Sequence, residues 1–485
     1  MSSTTEPIIA QVQQQFQELV TLVTGPDSHQ HTAGAIERTL FRRLLAVGLD
    51  LLRIFFLKRA AGRPAAPVVG PTGQPLPAKD QRPVTYYSVF GKLSFDRHAF
   101  AVTGQPVVCP LDAALSLPKR CYSDLLSDWM AFSGTDETYR ESQTVLERIL
   151  GLPLSVAALE TTTQEAAVDV PAFYAQPPAA TPPTSLGAIL VAQSDGKGVP
   201  LVLPRRAERL VRPAKGAPAG RKREAIVTAL YTIAPFPRTP EAVVAALLHD
   251  PDPPTPSRRP RPIQKEVRAT LDGKEAAISR LAQRAQQRED VSIQHRVALT
   301  DGAEALQAQM RAQLPTYTLV LDIIHATEYL WTAANAGLGE QHPERTAWVR
   351  GHLTAILRGR VATVIVALET AAADPALTAV QQQAILGTVG YYRRNQPYMR
   401  YDAYLAHGWP IGTGVVEGAC GHLVKDRMEQ AGMRWTKPGA QAVLDLRAVR
   451  LNGDWEAFQR HRMNQEQRDL HPDRDLIERH WKAAA

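Results

Sequence analysis

Cysteine is scarce in this chain. Cys109, Cys121 and Cys420 are the only thiols in 485 residues. Three cannot build a disulfide framework, and their spacing matches no zinc-binding pattern. A reducing cytosol is the simplest setting. Long hydrophobic runs are also missing. The most apolar early stretch, LLAVGLDLLRIFFL (44–57), is interrupted by Asp50 and Arg53 and is too short and too charged to span a bilayer. The opening MSSTTEPIIAQVQQQ has no basic segment followed by an apolar one, so no secretory signal is visible. A soluble, cytoplasmic protein without a membrane partner is expected. A strong charge of one sign is absent too: 55 Lys and Arg against 48 Asp and Glu leave a net charge of +7. That mild basic excess is compatible with nucleic acid without requiring it. With 44% hydrophobic and 21% charged residues, wholesale disorder and collagen-like repeats are excluded. At about 100–200 residues per domain, the length suggests about three domains.

The 37 prolines cluster and mark breaks. Residues 1–62 read as an N-terminal helical region, with apolar residues at mixed three- and four-residue spacing. After GRPAAPVVGPTGQPLP (62–77), strand-like runs at 84–95 and 98–108 suggest a small β-rich unit, followed by helix from about 122 to 168. This 84–175 region is a candidate for recognising DNA ends. Past the break AQPPAATPPTS (175–185) the pattern is mixed. LGAILVAQSDG (186–196) reads as a buried strand closed by an Asp-Gly turn, AIVTALYTIAP (225–235) as a second strand and KEVRATL (265–271) as a third, with a helix at 273–289. RVALTDG (296–302) and LVLDIIH (319–325) complete five. Residues 326–407 read as a helical insertion. GWPIGTG (408–414) breaks the pattern, a helix follows within 408–460, and 461–485 is a tail.

Three acids occupy comparable places. Asp195 and Asp301 follow strands, and Glu417 begins a helix. Taken singly, each has a bland reading, since Asp-Gly after a strand is most often a turn and a Glu in a first helical turn favours the helix dipole. The arrangement strand-Asp, strand-Asp, helical insertion, helix-Glu points further. Hard divalent cations take carboxylates, and two such ions about 4 Å apart clamp the attacking and leaving oxygens of a phosphoryl displacement.

SDGKGVP (194–200), LTDGAEALQ (299–307), LDIIHATEYLW (321–331) and GWPIGTGVVEGACGHLVKDRMEQAGMRW (408–435) resemble the signature blocks of bacterial insertion-sequence transposases of the Kra type. The likeness takes in YYRRNQPYMRY (391–401), AQAVLDLRAVRLNGDWEAF (440–458) and PLDAALSLPKRCYSDLL (110–126), so it covers most of the chain from about residue 84. The resemblance implies a DDE transposase related to Mutator-like enzymes. It implies an α/β catalytic core with an RNase H-like mixed sheet at 186–325 and 408–440, interrupted by an all-α insertion. Asp195, Asp301 and Glu417 would be the catalytic acids and the ligands of two Mg²⁺ (or Mn²⁺) ions. Asp322 and His325 match an Asp-x-x-His element and are expected behind those ligands, as each other's partner.

RRAERLVRPAKGAPAGRKR (205–223) and SRRPRPIQK (257–265) are rich in Lys and Arg. Beside a phosphoryl-transfer centre, such residues neutralise DNA phosphates. Arg221, Lys222 and Arg223 are the expected contacts there, with Lys425, Arg427 and Arg434 around the Glu417 helix. Trp331, Trp348, Trp409 and Trp435 are read as core more readily than as base-stacking platforms. Gly418, Ala419 and Gly421 are expected to let the Glu417 helix approach the sheet. The expected partners are double-stranded DNA, both element ends and target, and further copies of the chain in a homodimer or higher oligomer on the nucleoid. The rival readings are a repurposed DNA-binding relative that does not cut, and a metal-dependent phosphoesterase or nuclease.

Overall fold

The computed structural model describes residues 5–62, 64, 67–70, 73–177, 187–202, 222–250, 259–430, 432–475 and 477. The chain forms two units, residues 1–169 with 455–485, and residues 170–454.

In the first unit the expected helical region is two antiparallel helices, α1 (Glu6–Thr24) and α2 (Ala33–Ala61), joined through a 3-10 turn at Pro26–Gln30. Thr32 caps α2 by accepting the Ala35 N–H. Asp50 of α2 accepts from Gln11 and Gln15 of α1 and from its own neighbour Arg53. Strands β1 (Ala78–Ser88) and β2 (Gly91–Phe100) form a hairpin. Its turn falls inside the run 84–95 that reads as one strand. Gly91 supplies a φ of 147° there, and the Ser88 hydroxyl accepts the Phe90 N–H at 3.2 Å. The helical stretch after residue 122 is broken by caps. After α3 (Pro110–Ala114) come α4 (Asp124–Asp136), α5 (Tyr139–Leu150) and α6 (Val156–Ala166). Thr138 and Glu141 make a reciprocal capping box at the start of α5, and Gly151 ends it in the left-handed region at φ 69°. The helix Trp455–Leu470 belongs to this unit, with the Trp455 indole donating to Asp128 at 2.7 Å.

The second unit opens with α7 (Val170–Ala175). Its sheet has β3 (Ile189–Pro200), β4 (Lys222–Ile233), β5 (Ile263–Thr270), β6 (His295–Thr300) and β7 (Thr318–Leu321), in the order β5-β4-β3-β6-β7. The first three pair antiparallel, β6 runs parallel to β3, and β7 runs parallel to β6. Helix α8 (Pro240–Leu247) lies between β4 and β5, α9 (Lys274–Gln287) between β5 and β6, and α10 (Glu304–Gln313) between β6 and β7. The run 186–193 is nearly all apolar because β3 is buried on both faces. Ile189 and Val191 pack on one side, and Leu190 and Ala192 pack with α9 and α10 on the other. Ile189, Leu190 and Val191 each contribute about 1.5–3 kcal/mol by leaving water.

The helical insertion comprises α11 (Ile323–Leu338), α12 (Arg345–Leu357), α13 (Val361–Ala372), α14 (Ala379–Asn395) and α15 (Tyr401–Ala406). It packs on the Ile189–Val191 face. Then α16 (Gly414–Ala419) runs through a π-helical turn at Cys420–Lys425 into α17 (Asp426–Met428), and α18 (Lys437–Leu451) follows.

One expectation fails at β3. Asp195-Gly196 is not a closing turn: the strand continues to Pro200, with Asp195 paired to Val227. Gly196 keeps the same extended ladder, paired to Ile226.

Candidate active site

Side chains alternate along β3, so Gln193 and Asp195 share the face that carries Ile189 and Val191. Asp195 Oδ1 accepts the Gly196 N–H at 2.6 Å, and Oδ2 accepts from the Cys420 thiol at 3.4 Å. Burial, then the neighbouring Asp195 charge, push that thiol well above its ordinary range. Cys420 is therefore a protonated donor to Asp195.

Asp301 follows β6 directly. Its Oδ1 accepts the Ala303 N–H at 2.9 Å, and its carbonyl accepts from the Tyr391 hydroxyl of α14 at 2.8 Å. The next residue, Gly302, has φ +93°, and a Cβ there would lie 2.8 Å from the Tyr391 hydroxyl. The turn after β6 therefore demands glycine.

Glu417 sits on α16 and accepts from the Thr413 hydroxyl at 2.6 Å. Two buried side chains fix the approach to this helix. The Gln193 amide oxygen accepts the Val416 N–H at 3.0 Å, and its NH₂ donates to Gly412 O at 3.2 Å and to the Tyr231 hydroxyl at 3.0 Å. Asp322 Oδ1 accepts the Thr413 N–H at 3.1 Å. The Ile323 N–H donates to Ile411 O at 2.9 Å. The segment 411–416 is thus bolted to the central strand and to the start of α11.

Asp322 caps α11 and has no exposed surface. Its Oδ2 accepts the His325 N–H at 3.1 Å and meets His325 Nδ1 at 2.6 Å. This hydrogen bond, helped by the charges of Asp322, Glu328 and Asp301, pushes the His325 imidazolium up to about 9. Asp322 and His325 are thus paired with each other.

Among the described residues, Asp322, His325 and Glu417 group so that one ligand-type atom from each lies within 4.8 Å of the others. Asp195 is not in that group and reaches it through Cys420, three residues beyond Glu417. Asp301 is also outside it and acts on His325 by its charge. The donor chemistry of Asp195, Asp301 and Glu417 suits hard divalent cations. Among the described residues, Asp301 Oδ2 and Glu417 Oε2 accept no hydrogen bond, so each has an oxygen to offer.

The basic residues divide. Arg221 and most of both Lys/Arg-rich segments lie outside the described residues. Lys222 pairs with Glu429 at 2.6 Å, and Arg223 donates to Leu271 O at 3.1 Å. Lys425 and Arg434 are exposed. Arg427 corrects the expectation of a DNA contact: it is fully buried, with its guanidinium 4.7 Å over the Trp435 ring. Trp435 is likewise core, its indole donating to Met428 O at 3.2 Å. Gly418 and Gly421 do not mark close packing, because a Cβ on either would meet open space within 4 Å. Gln193, Thr413 and Cys420 were missed. A polar Gln two residues before Asp195 in an otherwise apolar run was the signal for the first.

No protein-family model matches the chain, and no curated protein matches it. Among the described residues, no helix is long and apolar enough to cross a membrane.

Proposed function

We propose that this protein is a DNA transposase of the DDE type. It would cut DNA strands and join them by metal-dependent phosphoryl transfer on an RNase H-like core, bound to the DNA of the nucleoid. The observation that carries the reading is one of topology. Asp195 lies on the central strand, Asp301 directly follows the parallel strand beside it, and the Glu417 helix is hydrogen-bonded to that central strand. Together with the strand order and its directions, this supports the resemblance of the sequence blocks. A long helical insertion between β7 and the Glu417 helix supports it as well.

Asp195, Asp301 and Glu417 would hold two Mg²⁺ or Mn²⁺ ions. The chemistry these supply is activation of an attacking hydroxyl and stabilisation of the leaving oxygen. The chain's own side chains hold the arrangement. Gln193 and Asp322 fix segment 411–416, Cys420 orients Asp195, and His325 would bring positive charge beside Glu417. Lys425 and Arg434 would draw in the DNA backbone. Water would attack in strand cleavage and a freed DNA 3′-hydroxyl in strand transfer.

The clustering of Asp322, His325 and Glu417 favours a second reading, a single-ion phosphoesterase centred on those three. Against it, Asp322 already accepts three hydrogen bonds, leaving it poorly placed as a direct ligand. The test is incubation with duplex DNA flanking the protein's own coding region plus Mg²⁺, with the cuts mapped. Cuts at defined ends support transposition. Hydrolysis of small phosphoesters without DNA cutting refutes it.

A further inference from the structure

The first unit carries an apolar face that its own packing leaves open. On α2, Phe41, Leu44, Leu51 and Phe55 recur at alternating three- and four-residue steps through position 48, and each keeps 44–52% of its surface in water. This is the a/d spacing of a helix seam. Position 48 is glycine, and a Cβ there would lie 2.6 Å from the Phe90 ring. The hairpin-tip Phe90, itself exposed, therefore supplies the apolar group that the helix lacks at the seam's midpoint.

Helix α1 adds to the same face. It meets α2 through Gln15, Leu19 and their neighbours, and its exposed Phe16, Val20 and Val23 sit one position beyond that contact row. On α2 the exposed Leu44 and Leu51 likewise sit one position beyond Arg43, which pairs with Glu18, and buried Asp50. In two antiparallel helices, residues displaced equally from the contact row turn to the same side.

We propose that this face is where two copies of the chain associate, α2 against α2 in antiparallel array about Gly48. Three observations select a second copy. The stripe reads nearly alike in both directions, Phe41 and Leu44 on one side of Gly48 and Leu51 and Phe55 on the other. A two-fold contact then sets Phe41 on the partner's Phe55 and Leu44 on the partner's Leu51, as an isologous interface requires. The same pairing brings exposed Glu37 beside the partner's Lys58, opposite in charge. Third is area. Half the surface of these eight side chains comes to roughly 650 Å² per copy, given about 150–250 Å² per aromatic. Two copies would bury about 1,300 Å², within the range of stable specific interfaces.

The inference is independent of the catalytic reading and is tested without DNA. The probe is sedimentation of the full chain. The wild type is expected as a dimer at micromolar concentration. Leu44→Glu should weaken association by about 100-fold or more, with the circular dichroism of a folded chain retained because the side chain stands half in solvent. Phe55→Lys, further along the helix, should do the same and guards against a folding defect in one variant. Adding Leu51→Lys to Leu44→Glu should restore the dimer, since antiparallel pairing sets the two new charges together. A wild type that stays monomeric overturns the proposal, and so does one that instead partitions onto anionic lipid vesicles. A dimer that survives both single substitutions, or a double variant that stays monomeric, also overturns it.

Discussion

The Gln193 amide oxygen accepts the Val416 N–H at 3.0 Å, although 223 residues separate the two. This bond joins the strand of Asp195 to the helix of Glu417, one residue from the carboxylate on the helical side and two on the strand side. The same amide group also holds Gly412 O and the Tyr231 hydroxyl. Gln193→Leu would leave three buried polar groups without a partner. At about 1–3 kcal/mol for each unsatisfied group, we expect a loss of at least about 2 kcal/mol in urea unfolding. A change below about 0.5 kcal/mol would show that water or a shifted loop replaces the amide.

Asp195→Asn, Asp301→Asn and Glu417→Gln each keep the shape while removing charge, and only in Asp195→Asn, where both oxygens accept, is one acceptor lost. If these three hold the ions, each should lower Mg²⁺-dependent cleavage by about 10³-fold or more, the several kcal/mol of charge stabilisation lost from the transition state. DNA binding in a gel shift should stay nearly intact. Undiminished cutting by any one variant would remove that residue from the ligand set.

Much of the core was legible because its signals are local. The five strands follow apolar β-branched runs, but the run 319–325 that reads as one strand ends at Leu321, because Asp322 caps α11 and His325 lies in that helix. Asp195 was misplaced as an element end. Asp-Gly spells a turn locally, yet here both residues stay in the ladder with β4. Arg427 failed for a related reason. Helical spacing in VKDRMEQ does not reveal that this guanidinium turns inward onto Trp435, which lies beyond the helix. Gln193 escaped notice because its partners are 38 to 223 residues away in sequence, whereas Thr413 bonds Glu417 only four residues on, from a segment that reads as a break in the pattern.

Asp322 and Asp301 are separable by experiment. Asp322→Asn keeps an acceptor for the α11 N–H groups but loses the charge that holds the His325 imidazolium. Residues that orient a site rather than bind the ion typically cost about 10–100-fold when changed, so some cleavage should survive, unlike in Asp301→Asn. In metal-free buffer the His325 ring should titrate near 9 in the wild type and fall toward its ordinary value in the variant, as read by NMR. The sign follows from a raised histidine: the pair's stabilisation is complete below about 6.5 and fades as pH rises through about 9. An Asp322→Asn enzyme without detectable cleavage and with lost metal affinity would instead make Asp322 a direct ligand.

Asp445 offers a stability test remote from cleavage. It lies on α18, almost wholly buried, and its Oδ1 accepts from the Gln441 amide at 3.1 Å. Burial pushes its carboxyl up to about 6, and the nearby Arg268 charge only partly opposes this. A carboxyl raised on folding costs stability when it is ionised. That cost is absent below about pH 4 and grows as pH rises to about 6. Above that it is constant, at up to about 3 kcal/mol for a two-unit shift. Asp445→Asn removes the ionisable group and keeps an acceptor for Gln441. The variant should therefore be more stable than the wild type at pH 7.5 and nearly equal to it at pH 4, as read from urea midpoints at both values. A variant less stable at pH 7.5 than at pH 4, relative to the wild type, would show that the attraction between Asp445 and Arg268 outweighs the burial of the charge.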